Sequence, residues 1–520
     1  MTNHSSIRRF LLVFLAWGAT GTLLPDGLRE AGAKLPEFDA WDVVRVKGQR
    51  VGYLQTTLRL VEQSGRQVAN VRQVTKISLQ RFGQETRMEM DYSDTETPDG
   101  VLIDFELVMK QGTTPMRTTG KVVGNRLQLQ IRSQSQKQNH SVVWPAGAGG
   151  MLGPELSLLA QPLKPGERRK VECLGMDNQT STTEMTAQEE EPVELPGGSF
   201  RLLKIDLLER TAPNAQGQRL EIQGAVWTNT AGEVLKNWIK PMNMETFRVT
   251  REVALAKTPL AKLDLGEATL VKVDRAIPHA HDTKRVRYRI RLEDGDPLAA
   301  FPAGPSQEVK RIDEHTAEVA VRAVRPSSAE DKKAGKSDDA KADKSAVASD
   351  VPTDADRNPN NFIQSDDPLI VAQAKEAGGD ETDPWKVAVA LEAYVNRAVT
   401  TKDFSQALST ASEVARNREG DCKGHAVYLA ALARARKIPA RVAAGLVYLP
   451  QSQAFGGHMW TEVYVAGRWI GLDGTLAKGG IGGGHLQLTH SPLAGAAAYN
   501  IFFPVMLVIG RLKVEVLDWE

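Results

Sequence analysis

The 520-residue chain is poor in cysteine, nearly free of net charge, and short of apolar runs that would sit comfortably across a bilayer. Only Cys173 and Cys422 are present, so at most one disulfide can form, and pairing them would silence Cys422 as a nucleophile. Both are expected as free thiols, with Cys173 acting as a small buried apolar residue. Lys plus Arg number 65 against 64 Asp plus Glu, a formal charge of +1. With no basic stripe either, there is no field to draw nucleic acid or an anionic membrane. The chain is too long for one compact domain and should hold about three.

Two stretches are apolar enough to ask about membranes. Arg8-Arg9, the run Phe10 to Trp17 and the small residues ending at Ala31-Gly32-Ala33 suit a secretory signal spanning 1–33. The run is too short for an easy transmembrane span, with an uncleaved N-terminal anchor as the alternative. Export would place the protein in a periplasm or outside the cell, and this segment is the one membrane contact expected. The second stretch, Pro492 to Gly510, contains Asn500 and Pro504 and reads as a packing segment.

Between them, residues 37–265 run as short alternating stretches such as Val43-Val44-Arg45-Val46 and Ile103-Asp104-Phe105-Glu106-Leu107. Turn signals such as Pro98-Asp99-Gly100 and Val123-Gly124-Asn125 separate them, which predicts a large antiparallel β domain. The Gly- and Ala-rich piece Pro145 to Gly153 predicts a bend or a break between two halves. Curved sheets of this kind bind lipids, peptides or proteins, but a scaffolding role is the simpler reading. Alternation resumes over 266–325, for example Val286-Arg287-Tyr288-Arg289-Ile290, as a small β domain or an extension of the first sheet. There His279-x-His281-Asp282 looks metal-like but lacks a third group at helpful spacing, and reads as a solvated loop. Residues 326–360 are dominated by Ser, Ala, Asp and Lys and read as a disordered linker that lets the two halves move.

The chemistry is concentrated further on. Arg418-Glu419-Gly420-Asp421-Cys422-Lys423-Gly424-His425 precedes Ala426, Val427, Leu429, Ala430, Leu432 and Ala433 at helical spacing, and Ile438-Pro439 marks the stop. Cys422 therefore opens a helix with Asp421 as its N-cap. The positive end of that helix favours a thiolate, while an ionised Asp421 opposes one unless its charge is tied up. His458 to Val465 alternates as a strand, with His458, Trp460, Glu462 and Tyr464 on one face. Ala466-Gly467 turns it back. A four-residue loop suits Ala466 better than a two-residue one, and either puts Trp460 opposite Asp473. Asp473 then lies one diagonal step from His458 on the same face, about 7–8 Å apart between backbones and within side-chain reach. These residues read as a cysteine nucleophile, a histidine base and an aspartate orienter.

A Gly-x-Cys at a helix start, Ile438-Pro439-Ala440-Arg441, His458-Met459-Trp460-Thr461-Glu462-Val463 and Trp469 followed by Asp473 occur in that order over roughly Asp383 to Leu476. This set resembles the transglutaminase-like core of the papain-like cysteine enzyme superfamily, in its exported type. The resemblance implies an α+β fold, a papain-like transglutaminase core of helices packed on an antiparallel sheet, preceded by the large antiparallel β-rich region. It implies catalytic Cys422, His458 and Asp473 in a domain over 361–484, followed by a packing segment and edge strand over 485–520. Acidic sites of the calcium-dependent members are not found, so no cofactor or metal is implied.

The activity implied is thiol acyl transfer on protein or peptide carboxamide or amide bonds through a thioester, ending in cross-linking or in hydrolysis. The alternative is a catalytically inactive envelope binding or scaffold protein that uses the β region and a transglutaminase-like docking module. Among the neighbours, His425 reads as structural, Arg441 as the partner of a carboxylate, and the Cys422 amide as the default oxyanion donor, with Tyr394 or Asn417 unplaced. The run Gly479 to Gly484 reads as a mobile loop that lines the cleft or connects.

Overall fold

A computed structural model describes residues 35–110, 115–133, 136–213, 219–256, 264–293, 295–326, 350–404, 408–495 and 498–520. The expected signal or anchor over 1–33 and the linker core 327–349 lie outside the described residues.

The β-rich region forms one 14-stranded antiparallel sheet, built from two meanders. They meet where the strand Phe38–Val46 pairs with Met244–Val249, Trp41 against Val249. The alternation that marks these strands is the alternation of burial: Leu127, Leu129 and Ile131 are buried on one face of Arg126–Ser133. The Pro145 to Gly153 piece joins the halves. It leads into the helix Gly153–Ala160, and on the way Gly149 pairs with Cys173, donating its amide to the Glu172 carbonyl and accepting the Leu174 amide.

Downstream, a five-stranded sheet contains Ala440–Leu449, Ala454–Val465, Arg468–Leu472 and His485–Ser491, with the short strand Val271–Lys272 paired to Ala454–Val465. Helices Pro368–Gly378, Pro384–Ala398, Ala411–Asn417 and Cys422–Ala435 pack on it through a core that includes Leu391, Val395, Val427, Leu432, Val442 and Leu472. Every residue of the last helix from Lys423 to Arg434 is buried, and its alanines let it lie close to the sheet, where Thr461 Oγ1 donates to the Ala426 carbonyl at 2.8 Å. A four-stranded sheet, Gln307–Arg311, Thr316–Arg322, Arg285–Leu292 and Leu512–Trp519, completes the fold.

Several expected boundaries are corrected. Residues 266–325 are neither a separate β domain nor an extension of the first sheet: Tyr288, Ile290 and Val319 share one core with Leu446, Tyr448, Phe455 and Leu486 of the five-stranded sheet. The 361–484 limit falls too early, because His485–Ser491 pairs with Ala440–Leu449 inside that sheet. The final strand, Leu512–Trp519, does lie at an edge, beside Arg285–Leu292. The linker ends before 350 rather than at 360. Asp350 carries two hydrogen bonds from Arg441, Asn358 accepts one from Arg434, and Asn360 Oδ1 takes the amides of Phe362 and Ile363. Polar composition hid these contacts, since each is made by a short side chain or a carbonyl. Among the described residues no helix is long and apolar enough to cross a membrane.

Arg441 pairs with a carboxylate as expected, and in fact with two. Its guanidinium meets Glu462 at 2.7 Å and Asp350 at 2.8 Å, and stands 3.9 Å from the Trp469 ring centroid. Arg441→Met leaves the buried Glu462 carboxylate without a counter-ion, so unfolding in urea should show a loss of about 3–5 kcal/mol. A loss under about 1 kcal/mol, the worth of an exposed pair, would show that the fork does not hold the fold.

Candidate active site

Helix Ala411–Asn417 ends with Arg418 in the left-handed region, and the chain then turns through Gly420 into the helix that Cys422 opens. A side chain at Gly420 would stand 3.3 Å from the Gly424 Cα, which explains a glycine at the turn. Asp421 caps the helix, its Oδ1 accepting the Lys423 amide at 3.0 Å. Its Oδ2 meets the Lys423 ammonium, and Arg81 from the β-rich region stands 3.6 Å from the same oxygen. The charge that would oppose a thiolate is therefore held by two cations. Arg81 was not foreseen; nothing local in a sequence couples positions so far apart.

The hairpin has the expected register. Thr461 pairs with Leu472 and Val465 with Arg468, which sets Trp460 opposite Asp473. The loop is corrected: it has two residues, Ala466 at φ 53° and Gly467 at φ 80°, rather than four. Both central φ values are positive, the turn whose twist matches the strands, and the pairing on either side outweighs the strain at Ala466.

The three expected residues are brought together. His458 Nε2 stands 2.8 Å from Asp473 Oδ2, and Cys422 lies close enough to His458 for their charges to stabilise one another. With Nε2 on the carboxylate, Nδ1 is the nitrogen left for the sulfur. The other Asp473 oxygen accepts the Thr475 amide at 2.8 Å. Behind it, buried Glu392 takes the amides of Asp473, Gly479 and Gly480 at 2.8, 2.7 and 3.2 Å. Burial nonetheless outweighs those three donors and lifts the Glu392 carboxyl to about 6.

The glycine run expected to be mobile is packed. Gly484 donates to the Ala280 carbonyl and Gly483 to Thr283 Oγ1, while a side chain at Gly482 would lie 2.5 Å from the His281 carbonyl oxygen. The glycines serve close approach.

Two histidines were missed. His485 Nε2 stands 3.1 Å from the Asp473 oxygen that also serves His458. His281 packs edge-on to His485, ring centroids 5.6 Å apart, while His279 and Asp282 are exposed, so the metal-like triplet does not act as one unit. The solvated-loop reading thus fails for His281, whose ring sits in the site's second layer. Only the alternation at His485-Leu486-Gln487-Leu488 pointed to a strand there.

The electrostatics favour a thiolate and imidazolium pair. Burial and the Asp421 charge push the thiol up, but the His458 imidazolium and Lys423 bring it below the ordinary value. Burial opposes charge on His458, and the Asp473 and Cys422 charges on either side outweigh it, pushing the imidazole up to about 10. Burial would also raise Asp473, yet His458 and His485 hold it well below the usual carboxylate range.

Ligand atoms of His458, Asp473 and His485 all lie within 4.8 Å of one another. A metal there would have to displace the protons that both imidazoles place on one oxygen. His425 is structural as expected, its Nδ1 lying 2.8 Å from the Asp421 carbonyl. Tyr394 directs its hydroxyl to Glu376 at 3.5 Å, and Asn417 is exposed. A concavity of about 1160 Å³ in the β-rich region is lined by residues such as Arg59, Arg72, Asp104 and His140, remote in chain and sheet from these groups.

Residues 371–474 match the transglutaminase-like superfamily and form a transglutaminase-like domain. Among solved structures, the chain is similar to one from Cytophaga hutchinsonii put forward as a cysteine protease, at 15% identity over 45% of this chain and 86% of that one, with a TM-score of 0.27. A β-barrel-like protein of a domain of unknown function from Brucella abortus aligns at 9% identity over 42% and 96% of the two chains, with a TM-score of 0.30. No curated protein matches the sequence.

Asp421→Asn keeps a capping side chain but removes the negative charge beside the sulfur. The pH of half-maximal Cys422 alkylation should fall. Stability should drop by about 3–5 kcal/mol as Lys423 stays buried without its partner. An alkylation midpoint that rises instead would overturn the assigned sign.

Proposed function

We propose that the protein is a thiol acyl-transfer enzyme in which Cys422 is the nucleophile, His458 the acid and base, and Asp473 the orienter. The observation that carries this reading is one largely buried imidazole that lies beside a thiol at a helix start and is bonded, at 2.8 Å, to a carboxylate. The substrate proposed is a protein or peptide presenting a carboxamide or amide carbonyl. Export to the periplasm or beyond is part of the proposal and rests on the Arg8 to Ala33 segment.

In the first half-reaction the Cys422 thiolate adds to the carbonyl carbon, and the negative charge passes to the carbonyl oxygen. The Cys422 N–H, which opens the helix, is the proposed donor to that oxygen. The tetrahedral intermediate collapses as the C–N bond breaks and the imidazolium gives its proton to the departing amine, leaving a thioester and neutral His458. Asp473 holds the ring in one orientation and stabilises its charged form throughout. In the second half-reaction His458 takes a proton from an incoming amine or water as it attacks the thioester. An amine yields a new amide cross-link; water yields the acid.

Iodoacetamide at pH 6, roughly two units below an ordinary thiol pKa, should label Cys422 rapidly and Cys173 scarcely at all. Burial pushes the Cys173 thiol far up, so it serves as an internal control. Cys422→Ala should abolish the fast phase. Labelling of Cys422 as slow as that of Cys173 would sink the enzyme and leave a binding or scaffold role. Incubation with a fluorescent primary amine and a glutamine-bearing protein, beside casein alone, separates the two outcomes: incorporation without fragments means transfer, and fragments without incorporation mean hydrolysis.

A further inference from the structure

The carboxylate of the proposed site does not serve one histidine. Asp473 Oδ2 receives His458 Nε2 at 2.8 Å and His485 Nε2 at 3.1 Å, with side-chain exposures of 8% and 1% for the two histidines. A single deprotonated oxygen within reach of two ring nitrogens is satisfied only if both nitrogens carry hydrogen. The shared oxygen calls for the Nε2–H tautomer of His485, whose Nδ1 has no well-aligned hydrogen bond and faces the Gly482 carbonyl.

We propose that His485 is a positioning residue of this site: a neutral imidazole that shares the Asp473 oxygen with His458, fixing the carboxylate and moderating how tightly it holds the histidine base. The inference rests on the Cys422, His458 and Asp473 reading given above. It adds a group that lies outside residues 371–474, the stretch matching the superfamily.

The charged and titratable groups around His485 are few. Asp473 and His458 face it from the hairpin, His281 from the loop beneath, and the Gly482 carbonyl from the glycine run. Trp460 closes the remaining side, its ring centroid 5.2 Å away. Burial disfavours charge on His485, and an imidazolium at His458 disfavours it again, which together outweigh the pull of Asp473 and the Gly482 carbonyl. His281 is lowered to about 4, burial first and His485 second. The second layer thus holds neutral rings, and the one imidazolium in the cluster is His458.

The consequence for the base has a definite sign. A hydrogen bond from His485 stabilises Asp473 most when the carboxylate stands beside a neutral His458, and less when an imidazolium already neutralises it. Removing the donor makes the carboxylate hold the His458 proton more strongly. The thiolate and imidazolium pair then persists to higher pH.

The test is the pH dependence of Cys422 alkylation in the full chain, with His485→Phe, which removes the donor, and His485→Gln, whose amide restores one. In His485→Phe the low-pH inflection, where the thiol loses its proton beside an imidazolium already present, should stay close to its unsubstituted position. The upper inflection, where the imidazolium loses its proton, should move up by about half a pH unit, a roughly threefold change in the equilibrium. His485→Gln should return the upper inflection toward the unsubstituted value. An upper inflection that stays in place in both variants, with only the rate altered, would reduce His485 to packing. Nitrogen-15 spectra of the unsubstituted protein give an independent reading: His485 should be neutral and protonated at Nε2 at pH 7, and a proton on Nδ1 overturns the proposal whether or not either variant folds. If the unsubstituted protein shows no fast labelling at low pH, the enzymatic reading fails, whereas the nitrogen spectra still decide the tautomer of His485.

Discussion

A carboxylate 2% exposed to solvent, Asp473, is the constraint around which this half of the molecule is arranged. Burying such a charge costs several kcal/mol unless each lone pair finds a donor. Asp473 finds its donors in three places: His458 across the hairpin, His485 on the far edge of the sheet, and the Thr475 amide just beyond. Its own amide goes to Glu392 on the helix Pro384–Ala398, and Glu392 spends its remaining capacity on Gly479 and Gly480. One charge thereby recruits a hairpin, a strand, a helix and a glycine-rich loop. The loop is ordered because its amides are the donors that a buried acid requires.

The β-rich sheet takes part at a distance. The hairpin joining Arg66–Arg81 to Gln84–Glu96 ends beside the cysteine helix, where Arg81 reaches Asp421. Phe82 packs on Phe404 with centroids 5.0 Å apart, and Gln84 exchanges hydrogen bonds with the backbone of Lys402 and Phe404. Asp264 pins the tip by accepting the amides of Phe82 and Gly83. The sequence suggested two halves free to move about a linker. In the structure the tip of a long hairpin connects them at the residue that caps the cysteine helix, so the sheet contributes to the electrostatics of the sulfur.

What could be read in advance was whatever local periodicity determines. Helical spacing after Cys422 and the capping chemistry of Asp421 placed the thiol, and strand alternation with a short turn placed His458 and Asp473 on one face. The turn itself was misjudged, because intrinsic preference at Ala466 yielded to the pairing of five residue pairs around it. His485, His281 and Arg81 were beyond local reading for a different reason. Each arrives from another part of the chain, and a single sequence carries no mark of which distant residue will supply a buried group with its partner. The ordered stretch 350–360 escaped for a related reason: disorder was inferred from composition, while order came from one bidentate arginine and one capping asparagine.

The acidity of Cys422 shows why the distant groups matter. A helix N-terminus favours an anion by about 0.3–1 kcal/mol, less than one pKa unit. Burial and the Asp421 charge act against the thiolate, so the helix start alone leaves the sulfur protonated at neutral pH. The deficit is met by the His458 imidazolium, which is sustained by Asp473 in turn. In the proposed mechanism the thiolate is therefore one half of a pair and not an independent anion. Its stability is set at the carboxylate, by the number of donors that share it, more than at the sulfur itself.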